Sequence, residues 1–473
     1  MAVTSARRPV RQDARLPRRA AYHRPRRRPP AGLPQGERDA DGARPMVTGG
    51  PLDGIRVLEF SQLVAGPFSG CVLSDLGAEV VKVERPPGGD PHRNFGAIIP
   101  NEGKRFQAVN RGKRSILVDL QTGAGRELIH RILPRFDVLT INFRQRVLER
   151  LEVDYETLSA LHPGLVYCRI SAFGSRGPLA DRAGTDATMS AYSGLTVGDA
   201  KTDDAGAPEH IGSGPVSDYT SGLAAVIGIC SALYRRELTG RGQFVETSLL
   251  RSAMAIQDSY IMREPVSDAS TVEPMMEAVR ELRAAGASYR EQLDARHAIR
   301  ARRWAFRIYY GGFEASDGVI ALGALTPRTR DGARRVLGIE DDPSDTPDFD
   351  SGDPANIAHA TSLLERIRAL IRTRPVAEWI EAFEAEGVPA GPVHFPEELA
   401  DDLQVNAAGM MADLEHPLTG PQRVVGPIVE LSETPTTIRG PAPLLGADTE
   451  AVLREAGCSD ADLDAYRAAG AIP

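Results

Sequence analysis

Residues 51–90 read PLDGIRVLEFSQLVAGPFSGCVLSDLGAEVVKVERPPGGD, and the succession of patterns within them decides the fold. The run IRVLEF at 55–60 is short, rich in β-formers and preceded by an Asp53-Gly54 turn. VVKVE at 80–84 is a second such run, stopped by PPGG. Between them, 68–76 carries helical spacing. Two strands joined by a helix in so short a stretch predict a right-handed βαβ crossover and a parallel sheet. Ligands of such sheets bind at the carboxyl ends of the strands, where this chain has Val64-Ala65-Gly66-Pro67 after the first and Glu84-Arg85 after the second. The small residues admit a ligand close to the backbone, and Arg85 offers it a fixed positive charge. The glycines argue against a dinucleotide fingerprint: they fall as Gly66-x-x-x-Gly70, with Pro67 where a flexible turn residue belongs.

The alternation continues outward from this unit. A basic turn at 110–114 enters a strand, 123–136 reads as a helix, 137–143 as a strand ending in Asn142-Phe143, 148–161 as one helix and 165–171 as a further strand. Thr185-Asp186 caps a helix ended by Ser193-Gly194, and Asp218 stands as the cap of a strongly apolar helix at 219–234. The intervening stretch 197–215 is acidic, glycine-rich and aperiodic, which suits either solvated filler or an active-site loop. Residues 94–105 read as a loop, 275–303 as a polar helical connector, and 305–393 as a separate α/β unit. A proline-rich segment follows it, and 448–456 is a last amphipathic helix. No internal repeat interrupts this order.

Length and composition narrow the function classes. A chain of 473 residues forms two or three domains with a sizeable core. Its four cysteines have neither metal nor disulfide spacing, which points to a reducing compartment, the cytoplasm. No apolar run is expected to reach the roughly 20 residues that span a bilayer, so no membrane is expected as a partner. The net charge of −8 conceals an asymmetry: residues 1–45 hold twelve arginines against four acids, so the remainder carries about −16. Phosphate would be repelled by so acidic a body, which argues against nucleic acid. The arginine- and proline-rich start reads as a disordered extension, with Met46 as the natural beginning.

In order along the chain stand PLDGIRVLEF with AGP, LGAEVVKVERPPGGD, NRGKRSI at 110–116, Asn142-Phe143, GRGQFVETS at 240–248, EGVPAGPV at 386–393 and PAPLLGADT at 441–449. This ordered set resembles the family III CoA-transferases, the group that contains formyl-CoA transferase, the carnitine CoA-transferase and α-methylacyl-CoA racemase. The resemblance implies an α/β architecture. A large Rossmann-like domain at 49–258 is completed by 412–473, a small domain lies at 304–394, and connectors lie at 259–303 and 395–411. Two such chains would interlock as a homodimer. It implies an acyl-CoA and a carboxylic acid as substrates, with no permanently bound cofactor and no metal. Arg85 would meet the nucleotide end of CoA, Asn142 and Phe143 would line the adenine slot, and Arg150 would serve the phosphates. Gln121 departs from the pattern, standing where formyl-CoA transferase has a CoA-contacting lysine. The glycine-rich flap of that enzyme has no counterpart here.

Three activities follow. The first is CoA transfer between acids through a carboxylate nucleophile, which needs neither ATP nor metal because one thioester replaces another. The transferase pattern places that nucleophile in the glycine-rich loop, at Asp204, with Asp203 and then Asp199 as substitutes. The second is α-proton chemistry, as in the racemases, which needs a base on each face of Cα. Asp218 matches one of them, but Thr185 occupies the histidine position and is no base near neutral pH. The third is a non-catalytic CoA-binding protein. Removing residues 1–45 should leave solubility and activity intact, because that segment has too little apolar surface to offset the entropy of ordering it. Insoluble expression of the chain beginning at Met46 would contradict this.

Overall fold

The computed structural model describes residues 49–473, apart from 198–200, 205, 210–213, 305–307 and 351. The arginine-rich start and Asp199 lie outside the described residues.

The first half alternates strand and helix: β1 (Arg56–Glu59), α1 (Ala65–Asp75), β2 (Glu79–Glu84), α2 (Lys104–Asn110), β3 (Arg114–Leu117), α3 (Gly123–Ile132), β4 (Val138–Ile141), α4 (Gln145–Arg150), α5 (Tyr155–Leu161), β5 (Val166–Ser171), α6 (Asp186–Ser193), α7 (Val216–Thr239) and β6 (Phe244–Ser248). The strands form one parallel sheet in the order β3-β2-β1-β4-β5-β6. Val57 of β1 pairs with Val80 on one side and Val138 on the other. The strand order reverses at this point, so the loops leaving β1 and β4 diverge and open a crevice at the carboxyl edge.

Both faces of the sheet are covered, which explains why the strands are near-continuous apolar runs rather than alternating ones. Leu58, Val81, Leu139 and Tyr167 pack with α3 into one core, and Val57, Val80, Val138 and Ile170 pack with Leu73, Ala225 and Ile229 into the other. The chain's end belongs to the first core: Val452 and Leu463 are buried there. It also closes the edge strand β3, where Asp448 accepts from Ser115 N at 2.9 Å and Thr449 Oγ1 from Leu117 N at 3.0 Å. The small unit is an antiparallel sheet of Tyr310–Glu314, Val319–Gly323 and Ala390–Pro392 with its own core around Ile320, Ile367, Trp379 and Phe383.

Several expectations are corrected. Residues 94–105 are not all loop, since α2 begins at Lys104. The single helix expected at 148–161 is two, parted at Glu152, whose φ is +54°, and restarted where Asp154 accepts from Thr157 N at 2.9 Å. The proline-rich segment contains a hairpin, Met411–His416 with Gly420–Val425, and a further helix, Asp460–Ala468, follows the last expected one. By length and composition alone, the 24-residue α7 is apolar enough to cross a membrane, against expectation. Here one side of it packs on α1 and the sheet, while Ile227, Tyr234 and Leu238 stand exposed on another.

Beneath the β1–α1 turn lies a buried set of charges. Lys82 Nζ donates to Glu59 at 3.1 Å and to Ser61 O at 2.7 Å, and lies 3.1 Å from Asp90. Lys113 Nζ donates to both Glu59 oxygens, at 3.0 and 2.9 Å, and to Pro67 O at 2.7 Å. Burial disfavours the Lys82 ammonium, but Glu59, Asp90 and Glu84 together outweigh it and hold its pKa above the ordinary lysine value. Glu59 is shared by both lysines, so Glu59→Ala would leave two buried cations short of counter-charge. Urea unfolding should show a loss of about 3–5 kcal/mol. A loss below about 1 kcal/mol, the size expected of a surface pair, would contradict the account.

Candidate active site

The crevice at the sheet's reversal point holds a cavity of about 260 Å³ lined by Phe60, Gln62, Arg85, Gln121, Phe143 and Arg150 among others. Three of the residues expected from the sequence, Arg85, Phe143 and Arg150, therefore share one cavity. Neither arginine side chain makes a hydrogen bond or ion pair with any described residue. Two free guanidinium groups beside a ring and apolar side chains suit a ligand with phosphates at one end and a flat base at the other. Asn142 acts one step back. Its amide accepts from Gln62 N at 3.0 Å and donates to Gln62 O at 2.8 Å, which fixes the cavity wall. Gln121 lines the same cavity in place of the expected lysine.

The wall continues into α1. Leu63 holds a left-handed backbone with φ +68°, an uncommon state for a side chain of this kind, and its N–H is fixed by both Asp90 oxygens at 3.2 Å. From there α1 runs to Phe68, whose ring meets Tyr219 edge-on at 4.7 Å. Tyr219 follows Asp218 in the first turn of α7.

Asp218 is not the helix cap that the sequence suggested. The helix begins at Val216, with Pro215 as its N-cap residue, and the capping is supplied from α6. Asp186 Oδ1 accepts from Ser217 N at 2.7 Å, Ser217 Oγ at 2.5 Å and Asp218 N at 3.3 Å. Asp186 is itself buried, and its Oδ2 has no partner among the described residues. Asp218 is thus released from structural duty: its half-buried carboxylate accepts no hydrogen bond from any described residue. Burial, and then the neighbouring Asp186, push its pKa up to about 7. No residue pattern signals this pairing, because the two acids are brought together across the α6–α7 crossing.

Asp203 and Asp204 are exposed on a turn closed by the Thr202–Pro208 bridge. The Asp203 carboxylate accepts from Ala207 N at 2.9 Å, and the Arg290 side chain donates to Asp203 O at 3.1 Å. Thr185 caps α6, its N–H donating to Thr188 Oγ1 at 2.8 Å. Among the described residues no group of three or more His, Cys, Asp or Glu is placed to hold a metal ion.

A crevice with two unpaired arginines and an aromatic ring is matched by the comparisons. The family description CoA-transferase family III fits residues 52–449. The chain belongs to CoA-transferase family III. It is 32% identical to the succinate–glutarate CoA-transferase of Agrobacterium fabrum over 418 residues, covering 86% of this chain and 95% of that one. It is 29% identical to the mouse succinyl-CoA:glutarate CoA-transferase, with 86% of each covered. Among solved structures, a CAIB/BAIF family protein from Brucella suis superposes with a TM-score of 0.65 at 27% identity, covering 86% of this chain and all of that one. Rv3272 from Mycobacterium tuberculosis superposes with a TM-score of 0.66 at 25% identity, covering 85% of this chain and 99% of that one. The protein is thus an enzyme, a family III CoA-transferase, and CoA thioesters are the substrates of its kind.

A raised carboxyl pKa has a consequence for this transferase's stability. The folded state holds the Asp218 proton more tightly than the unfolded chain does, so ionising it costs the fold. That cost is absent below about pH 4, where both states are protonated, and grows until the pH passes about 7. Asp218→Asn removes it, and should be more stable than wild type at pH 8, by at most about 4 kcal/mol, and equal to it at pH 4. Melting curves across that range give the answer, and a difference that does not vary with pH would refute the assignment.

Proposed function

We propose that the enzyme moves CoA from an acyl-CoA donor to a carboxylic acid acceptor through an acylated aspartate, and that this aspartate is Asp218. The observation that carries the reading is the half-buried Asp218 carboxylate, held without a structural partner beside Asp186 in the first turn of α7. Asp204, the sequence expectation, is exposed in the single chain and stands as the alternative nucleophile.

The steps balance without an added reagent. The Asp218 carboxylate attacks the thioester carbonyl, the C–S bond breaks, and an acyl-aspartyl anhydride and CoA thiolate result. The thiolate then attacks the aspartyl carbonyl, releasing the donor acid with one oxygen from Asp218 and leaving aspartyl-CoA. An acceptor carboxylate repeats the sequence in reverse. The positive end of α7 lies nearest these oxyanions and favours their charge. Arg85 and Arg150 hold the nucleotide so that the thiolate stays in place between the two attacks. Relatives named for succinyl-CoA with glutarate and with mesaconate make acids with two carboxylates the first substrates to try.

The partner we propose is a second copy of the chain. An apolar stripe along α7, with Ile227 68% and Tyr234 71% exposed, supports burial against another subunit. We keep the cytoplasm as its location, on four free cysteines. Trapping with hydroxylamine after incubation with an acyl-CoA should leave a hydroxamate on Asp218, located by fragment mass spectrometry. Asp218→Asn should lose roughly a thousandfold or more in kcat, while Asp204→Ala keeps wild-type turnover. A hydroxamate on Asp203 or Asp204 would return the nucleophile to the loop.

A further inference from the structure

We propose that the chain binds a small monocarboxylic acid with a flat apolar body in a second cavity, on the other side of α4 from the nucleotide crevice. This site stands apart from Asp218 and from the acids exchanged there.

The cavity lies over the β5–β6 edge of the sheet. Its volume is about 260 Å³, and its lining includes Gln145, Tyr155, Tyr167, Arg169, Asp181 and Phe244. Helix α4 is the wall it shares with the crevice: Gln145 and Leu148 line this cavity, Val147 and Arg150 the other. Side chains alternate along a strand, so Tyr167 and Arg169 leave β5 on one face while Cys168 packs in the opposite core. Phe244 and Glu246 stand beside them, because β6 pairs Phe244 with Tyr167 and Glu246 with Arg169.

On this face one charge lacks a counter-charge. Arg169 is only 4% exposed, and a guanidinium so deeply buried ordinarily sits against a carboxylate. Among the described residues its side chain hydrogen-bonds only to the neutral Gln145 Oε1, at 2.6 Å, its Nε has no partner, and no carboxylate forms an ion pair with it. Glu246 is the acid that the strand pairing sets beside it. That carboxylate is turned to Ser175, whose Oγ donates to Oε2 at 2.8 Å, and its Oε1 has no partner among the described residues. A buried cation at a cavity wall, left with free donor capacity, is suited to a carboxylate from outside the chain.

The remaining lining selects the rest of the ligand. The ring centres of Tyr155 and Phe244 are 5.3 Å apart, and they lie 5.7 and 5.9 Å from that of Tyr167. Such a group of rings favours a flat apolar body. Glu156, and Asp181 beside Arg146, are exposed acids on the same lining and repel a second negative charge. Phosphate esters and dicarboxylates are thereby disfavoured. The volume lies below the roughly 300–1,000 Å³ of drug-sized ligand pockets, which excludes CoA.

The test is titration of 4-fluorobenzoate into the full-length protein, followed by its fluorine resonance. Wild type should bind it saturably. 4-Fluorobenzamide, which keeps the ring without the charge, should bind about 10- to 100-fold more weakly, and Arg169→Met should cost the acid a similar factor. Phe244→Ala, at an exposed edge of the cavity, should weaken binding by about 2- to 10-fold and serves where the Arg169 variant does not fold. Arg150→Met, on the other side of α4, should leave the affinity for the acid unchanged. No saturation by wild type below concentrations on the order of 10 mM would overturn the proposal. So would equal affinity for acid and amide, full affinity in folded Arg169→Met or in Phe244→Ala, or a loss in Arg150→Met as large as that in Arg169→Met.

Discussion

The site depends on two lysines that have no water to solvate them. Lys82 and Lys113 are fully buried, and each can remain so only by placing its ammonium against Glu59 and against backbone carbonyls. Those carbonyls are Ser61 O, in the turn that leaves β1, and Pro67 O, in the first turn of α1. Asp90, paired with Lys82, takes the middle of the same turn through Leu63 N. A cluster of charges that would be costly anywhere in the core thereby fastens one short segment at three points, and removing a single partner leaves an uncompensated charge. The segment cannot relax away from its left-handed Leu63 without breaking these bonds.

What the turn positions is both halves of the proposed active site. Its Gln62 forms a wall of the nucleotide crevice, held from the other side by Asn142 of the β4 loop. Its continuation, α1, sets Phe68 against Tyr219 and so sets the first turn of α7 with Asp218. The second acid, Asp186, acts on that turn by capping it, and leaves the Asp218 carboxylate with a neighbouring negative charge and no hydrogen bond from any described residue. A carboxylate in that situation is poorly solvated and close to its pKa at neutral pH, which is a suitable state for a nucleophile that must also leave again.

Much of the fold was legible in the sequence for one physical reason. Strands covered on both faces must be apolar throughout, so IRVLEF, VVKVE and the runs at 137–143 and 165–171 stand out, and the turns between them are marked by glycine, proline and aspartate. Arg85 was legible because a cation at the end of a parallel strand has a fixed direction. What stayed hidden depends on tertiary contact. Lys82 and Glu59 sit inside apolar runs as ordinary strand residues, and nothing local says that each is the other's counter-ion across β1 and β2. Asp218 before an apolar run carries the signature of a helix cap, and only the arrival of Asp186 from α6 shows that the cap lies elsewhere. Residues 104–105 read as part of a loop because α2 is short and one of its anchors, Phe106 beneath Arg93, is again a tertiary contact.

The central claim is that the Asp218 carboxylate exchanges its own oxygen with the acids it carries. Turnover with an acceptor acid labelled with heavy oxygen in both carboxylate positions, followed by fragment mass spectrometry of the enzyme, tests this directly. The account predicts heavy oxygen in the Asp218 side chain after turnover with donor and labelled acceptor, and none when the acyl-CoA donor is withheld. An Asp218 that stays unlabelled while labelled thioester accumulates, or label found at Asp203 or Asp204 instead, would contradict it.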